Sequence, residues 1–227
     1  TVQNTLGVSA VSAVPIDILQ GQIEAVLSDI GADAVKIGML HSSEVVRCVR
    51  RMLDKFDVRN VVLDPVMDTT SGHRRIEEEA ISALTSELLP RARVITPNIP
   101  EAEILLGGER LSVQKDLPDA ARKLADLYGA SVLLKAGHLK EEALVDIFHD
   151  VEDGKTYELP SVRIHTANTH GTGCTLSSAF ASMLAKGMSL PEAAAAAKDY
   201  INGAIIAGAE YKIGHGFGPV DHFYKFR

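Results

Sequence analysis

The chain has 227 residues, 46% hydrophobic and 23% charged, with a formal net charge of -7 and a mean hydropathy of +0.07. That balance describes a globular protein with chain enough for one large core, and residues 1–227 read as a single domain without linker, repeat or low-complexity stretch. The acidic balance and the lack of a basic run exclude a nucleic-acid surface, so an anionic substrate would have to be met by local groups, and no apolar stretch reaches membrane-spanning length.

The opening residues show no leader pattern. Pro15 stands just before a helical pattern over residues 17–30, where its missing N–H costs little. Strand-length apolar runs follow at 34–37, 60–63, 93–96 and 131–135. Amphipathic stretches at 44–56, 77–88 and 114–128 separate them. This alternation predicts a mostly parallel sheet covered by helices on both faces. After Gly137 the pattern changes. Runs at 144–148 and 155–159 flank Glu152-Asp153-Gly154, a hairpin signal, so antiparallel strands should finish the sheet at one edge. Two helices are expected last, over 174–186 and 191–210, the second carrying the alanine run 193–197.

Cys48 and Cys174 fit neither a metal spacing nor a disulfide framework, which suits a reducing cytoplasm. Cys48 lies at a packing position of its helix. Cys174 lies in the most informative stretch, Asn168-Thr169-His170-Gly171-Thr172-Gly173-Cys174-Thr175. A Gly-rich turn opening a helix aims free N–H groups and the positive end of the helix dipole at one point, as an anion site requires. A plain structural turn is the competing reading of the same residues. Gly171, Thr172 and Gly173 are candidates to stabilise a phosphoryl group in transfer, with Cys174 as candidate general base. Against this, a cysteine one residue into a helix can simply be small and packed. No Gly-x-x-x-x-Gly-Lys-[Ser/Thr] motif is present, which excludes a P-loop, and the late Gly-rich turn does not suit a Rossmann fingerprint.

In open α/β sheets, ligands collect at the carboxyl ends of the strands. Those ends carry Lys36 to Met39, Asp64 to Met67, Thr96 to Asn98 and Lys135 to His138. Asn98 and Glu101 suit a helix capping box, and Glu101 also suits a magnesium ion held through water. Asp64 reads either as a turn former or as a carboxylate committed to a metal or proton relay. Lys135 ends an apolar run, where its ammonium needs solvent or an anion.

Taken in order, Gln3-Asn4-Thr5-Leu6-Gly7, Lys36-Ile37-Gly38-Met39-Leu40, Asp64-Pro65-Val66-Met67, Thr96-Pro97-Asn98 with Pro100-Glu101-Ala102-Glu103, Lys135-Ala136-Gly137-His138 and the 168–175 stretch resemble the hydroxymethylpyrimidine/phosphomethylpyrimidine kinases of the ribokinase-like superfamily. The tail from Ile213 to His222 resembles the family's ending. The resemblance spans the chain. It implies a ribokinase-like three-layer α/β/α fold and an ATP- and Mg²⁺-dependent kinase of thiamine biosynthesis. Such an enzyme phosphorylates the hydroxymethyl group of 4-amino-5-hydroxymethyl-2-methylpyrimidine, then the monophosphate. It further implies that Gln3, Met39 and Val66 bind the pyrimidine, that Lys135, Asn98 and Thr172 serve the nucleotide, and that Asp64 and Glu101 serve the metal, Glu101 through water. Several relatives pair as homodimers.

Four departures accompany the resemblance. Family members carry a strand, a Gly-rich substrate loop and a helix ahead of the Gln-Asn-Thr motif, so an N-terminal unit is expected to be missing ahead of Thr1. Asp68 stands where the family more often has an apolar residue, and Ala136 where it often has glycine. Pyridoxal kinases share the Gly-Thr-Gly-Cys motif. A pyridoxine/pyridoxal kinase, or a catalytically inactive pyrimidine-binding relative, is therefore the alternative.

Overall fold

The computed structural model describes residues 1–67 and 78–226; Asp68 and Glu77 lie outside them. A six-stranded sheet runs in the order β3-β4-β5-β6-β7-β8: Val35–Ile37, Val61–Leu63, Val94–Ile95, Ser131–Leu134, Ala143–Asp150 and Lys155–Val162. The first four strands are mutually parallel, and β7 and β8 are antiparallel, as the change of pattern after Gly137 predicts. Pro160 sits in β8, an edge strand where a missing N–H donor is tolerated.

Because the parallel strands advance in one direction, right-handed crossovers place their connecting helices on one face. Those helices are α2 (Ser43–Lys55), α3 (Glu78–Ala83), α4 (Ile99–Leu105) and α5 (Leu117–Tyr128). The side chains of Leu63, Ile95, Val132, Leu134 and Ile147 join them in one core. The alternate positions Val62, Val94, Leu133 and Phe148 face a second core built with α6 (Thr172–Ala185) and α7 (Leu190–Gly208). Alternation with period two thus feeds two cores from one set of strands. Ala193, Ala194, Ala197 and Ala204 are fully buried, so small side chains let α7 pack closely. Helix α1 (Ile16–Asp29) buries no residue completely and packs outside α2, with Leu27 reaching the first core. Cys48 is fully buried, as its helical position predicts.

One element was not expected and one expectation needs correction. Residues 2–10 do not join the main sheet: β1 (Val2–Asn4) and β2 (Gly7–Ala10) form a separate antiparallel hairpin, closed at Thr5-Leu6, where Asn4 Oδ1 accepts the Leu6 N–H at 2.9 Å. The helix expected through residue 88 stays α-helical only to Ala83. It continues as a π turn over Leu84–Leu88 and a 3₁₀ turn over Leu89–Arg91. Pro90 explains the break, since it supplies no donor and its ring crowds the preceding turn. Among the described residues, no helix is long and apolar enough to cross a membrane.

Candidate active site

The parallel ladder sets the site. Asp64 N–H donates to Ile37 O at 2.9 Å, Thr96 N–H to Leu63 O at 3.0 Å, and Lys135 N–H to Pro97 O at 3.0 Å. Each bond carries the register one residue past a strand end, so Asp64, Thr96 and Lys135 finish neighbouring strands at one rim. Their side chains converge. Asp64 Oδ1 accepts from Lys135 Nζ at 2.9 Å and from the Thr96 hydroxyl at 3.1 Å. The Asp64 side chain is only 3% exposed and that of Lys135 15%. A carboxylate buried this deeply is tolerated because it is both paired and hydrogen-bonded.

Asn98 opens α4 with the expected capping box. Its Oδ1 accepts from Glu101 N–H at 2.9 Å, while Glu101 Oε2 accepts from Asn98 N–H at 2.8 Å. The Met67 backbone N–H also bonds the Glu101 carboxyl. Burial, opposed chiefly by the nearby Lys135 ammonium, raises the Glu101 pKa to about 7, and the Asp64 charge adds to the rise. Capping therefore orients a buried carboxyl whose charge neighbours both Asp64 and Lys135.

The Gly-rich turn meets this rim. Gly171 precedes α6 at φ 84°, a left-handed conformation that suits glycine. A Cβ placed on Gly173 would lie 3.3 Å from Lys135 Nζ and 3.7 Å from Asp64 Oδ2. The first turn of α6, whose N–H groups lack intrahelical acceptors, therefore packs beside the Lys135–Asp64 pair. A cavity of about 490 Å³ opens there, lined among others by Asn98, Lys135, His138, Thr172 and Gly173.

The remaining candidates are more scattered. Cys174 is exposed and lines a separate cleft with Thr175 and His222. Met39 is exposed after β3, and Val66 is half-buried in the turn after β4. Gln3 is exposed on the hairpin, its Nε2 3.5 Å from His170 Nε2.

Sequence reasoning missed a buried pair. Lys198 Nζ of α7 donates to Asp146 Oδ2 at 2.6 Å, and Asp146 Oδ1 accepts the Ala136 N–H at 2.8 Å. Both side chains border the cavity. Two signals mark them: a carboxylate inside the apolar run of β7, and a lysine one residue after the alanine run of α7.

Among the described residues no group of three or more metal-ligating side chains exists. Two carboxylates, one of them raised toward neutrality by burial, fit a magnesium ion that keeps most of its water rather than one caged by protein.

The phosphomethylpyrimidine kinase family model matches residues 1–221. A hydroxymethylpyrimidine/phosphomethylpyrimidine kinase of Rhizobium meliloti (strain 1021) is 44% identical over 227 residues, covering all of this chain and 84% of the relative. The crystal structure of phosphomethylpyrimidine kinase from Clostridium difficile 630 aligns with a TM-score of 0.75 at 39% identity, covering 89% of this chain and 82% of that one. An ADP complex of Bacillus subtilis pyridoxal kinase aligns with a TM-score of 0.87 at 35% identity, covering 96% of this chain and 80% of the other. The three-layer architecture is that of these kinases. With a match across nearly its whole length, this chain belongs to the phosphomethylpyrimidine kinase family.

Proposed function

We propose that this chain transfers the γ-phosphoryl group of ATP to the hydroxymethyl group of 4-amino-5-hydroxymethyl-2-methylpyrimidine, and then transfers a second to the resulting monophosphate, as a step of thiamine biosynthesis. The observation that carries this reading is the approach of Gly173 to Lys135 and Asp64. It sets a helix N-terminus and a lysine ammonium on one cavity, an arrangement suited to the charge of a phosphoryl group. Family membership supports the acceptor, and the ADP in the Bacillus subtilis neighbour supports an adenine nucleotide as donor.

In this reading the amides of Gly171, Thr172, Gly173 and Cys174 oppose charge on the transferred group, and Lys135 neutralises phosphate oxygen from the other side. Asn98 and Thr172 position the nucleotide. Asp64 and Glu101 hold hydrated Mg²⁺, which when bound screens the phosphate charges. Gln3 reads the aminopyrimidine edge because an amide offers both donor and acceptor, and Met39 and Val66 line the ring. Cys174 takes the proton from the attacking hydroxyl.

The closer superposition on pyridoxal kinase keeps a pyridoxal-type acceptor as the second reading. ATP turnover with each alcohol separates the two. The aminopyrimidine is expected to be the faster substrate, and Gln3→Met should depress its kcat/KM by about tenfold, the worth of one well-placed hydrogen bond. Faster turnover of pyridoxal would reverse the assignment.

A further inference from the structure

The C-terminal tail at residues 214–220 performs no step in the mechanism above, yet it touches both halves of the site. On one side it grips the hairpin tip. Phe217 N–H donates to Thr5 O at 2.9 Å, while His215 and Gly216 N–H groups both donate to Thr5 Oγ1 at 3.3 Å. On the other side it holds the Gly-rich turn: His170 N–H donates to Gly218 O at 3.0 Å, and His170 pairs with Pro219. Just beyond, His222 Nε2 lies 2.9 Å from Thr175 Oγ1.

The glycines record how tightly this segment is threaded. A Cβ on Gly216 would stand 2.1 Å from Thr5 O, and one on Gly218 2.0 Å from Asn168 Oδ1. Neither gap admits a methyl group. Asn168 is itself fixed, its buried amide donating to Gly208, Ala209 and Tyr211 carbonyls. The Gly218 side of the tail therefore abuts a held residue, and the Thr5 side abuts an otherwise exposed hairpin. The hairpin forms its own two-stranded sheet, outside the main one.

We propose that residues 214–220 are a positioning strap that ties the Gln3-bearing hairpin to the turn opening α6, with Thr5, Gly216 and Gly218 fixing their alignment. The strap's role in catalysis rests on the kinase reading, in which the hairpin contacts the acceptor and the turn contacts the phosphoryl group. Because the two are joined through backbone contacts, ordering the turn with nucleotide also orders the hairpin, a coupling between sites.

The test reads amide hydrogen exchange of residues 2–10 with and without a non-hydrolysable ATP analogue. In the unaltered protein the analogue should slow hairpin exchange by about fivefold or more. Thr5→Val keeps the side-chain shape but removes the hydroxyl acceptor. It removes the two bonds from His215 and Gly216 N–H and leaves the one from Phe217 N–H to Thr5 O. It should therefore cut that slowing by about half or more while leaving the analogue's dissociation constant within about twofold, and it should raise the aminopyrimidine KM more than it lowers kcat. Gly216→Ala should act in the same sense more strongly, and Thr5→Val carries the test if that variant fails to fold. A hairpin indifferent to the bound analogue, or coupling undiminished in Thr5→Val, overturns the strap. A wild-type chain that binds the analogue and shows the coupling but does not turn over the aminopyrimidine overturns the substrate reading instead.

Discussion

Glu101 shows how a local device and a buried charge share one residue. The capping box gives its carboxyl a fixed direction, and burial raises its pKa from the ordinary 4.5 to about 7. Such an acid favours the protonated form in the folded state. Its contribution to stability is thus fully present below about pH 4.5 and is lost as pH rises through about 7, a difference of about 3 kcal/mol. Glu101→Gln keeps a neutral side chain. It should match the wild type in urea denaturation at low pH and become the more stable protein near pH 8 when no metal is added. Magnesium should narrow that gap by stabilising the wild type alone. Cys174 poses a different question, because its exposed thiol lines a cleft separate from the cavity at Lys135. As the proton acceptor it should cost about 10²–10⁴-fold in turnover on change to alanine. A loss under about tenfold would leave the proton to another group and reserve position 174 for its backbone amide.

At the scale of elements, the turn into α6 depends on one backbone angle. Gly171 adopts φ 84°, and a Cβ there would meet nothing within 4 Å, so the obstacle to any other residue is conformational rather than steric crowding. Gly171→Ala should cost about 1–2 kcal/mol, the penalty of a left-handed conformation for an L-residue. It should lower kcat more than it raises the ATP KM, since the first-turn amides are aimed by that angle. Gly173 is constrained in another way, by the Lys135 ammonium 3.3 Å from where its Cβ would stand. Neighbouring glycines of one motif therefore answer to unlike physical demands.

Across the whole molecule, the Asp146–Lys198 pair joins β7, α7 and the loop after Lys135. Its side chains are 6% and 10% exposed. Removing one partner strands the other charge in a poorly solvated place. Lys198→Met should destabilise the fold by about 3–5 kcal/mol in urea titration, and Asp146→Asn combined with it should recover part of the loss. The loop that carries Ala136 and Gly137 should loosen in the single variant, raising the ATP KM through lost positioning.

The alternation of strands and helices, the switch from parallel to antiparallel after Gly137, the capping box at Asn98 and the Gly-rich opening of α6 were all legible in the chain, because each is written in neighbouring residues. Short apolar runs, a cap followed three residues later by glutamate, and glycine before a helix are local signals, and strand ends of an open sheet must share a rim. The hairpin at residues 2–10 was not legible in the same way, and the change from α-helix to π turn at Leu84 had no signal inside the 77–88 pattern, since Pro90 lies beyond it. The contacts of Asp64 with Lys135 and Thr96, the closeness of Gly173 to both Asp64 and Lys135, the Asp146–Lys198 pair and the hold of the tail on Thr5 belong to tertiary structure alone. They join residues dozens to hundreds of positions apart, and side-chain periodicity carries no information about which distant partner a buried charge will find. Burial, which raises the Glu101 pKa, arises only when the layers close around it.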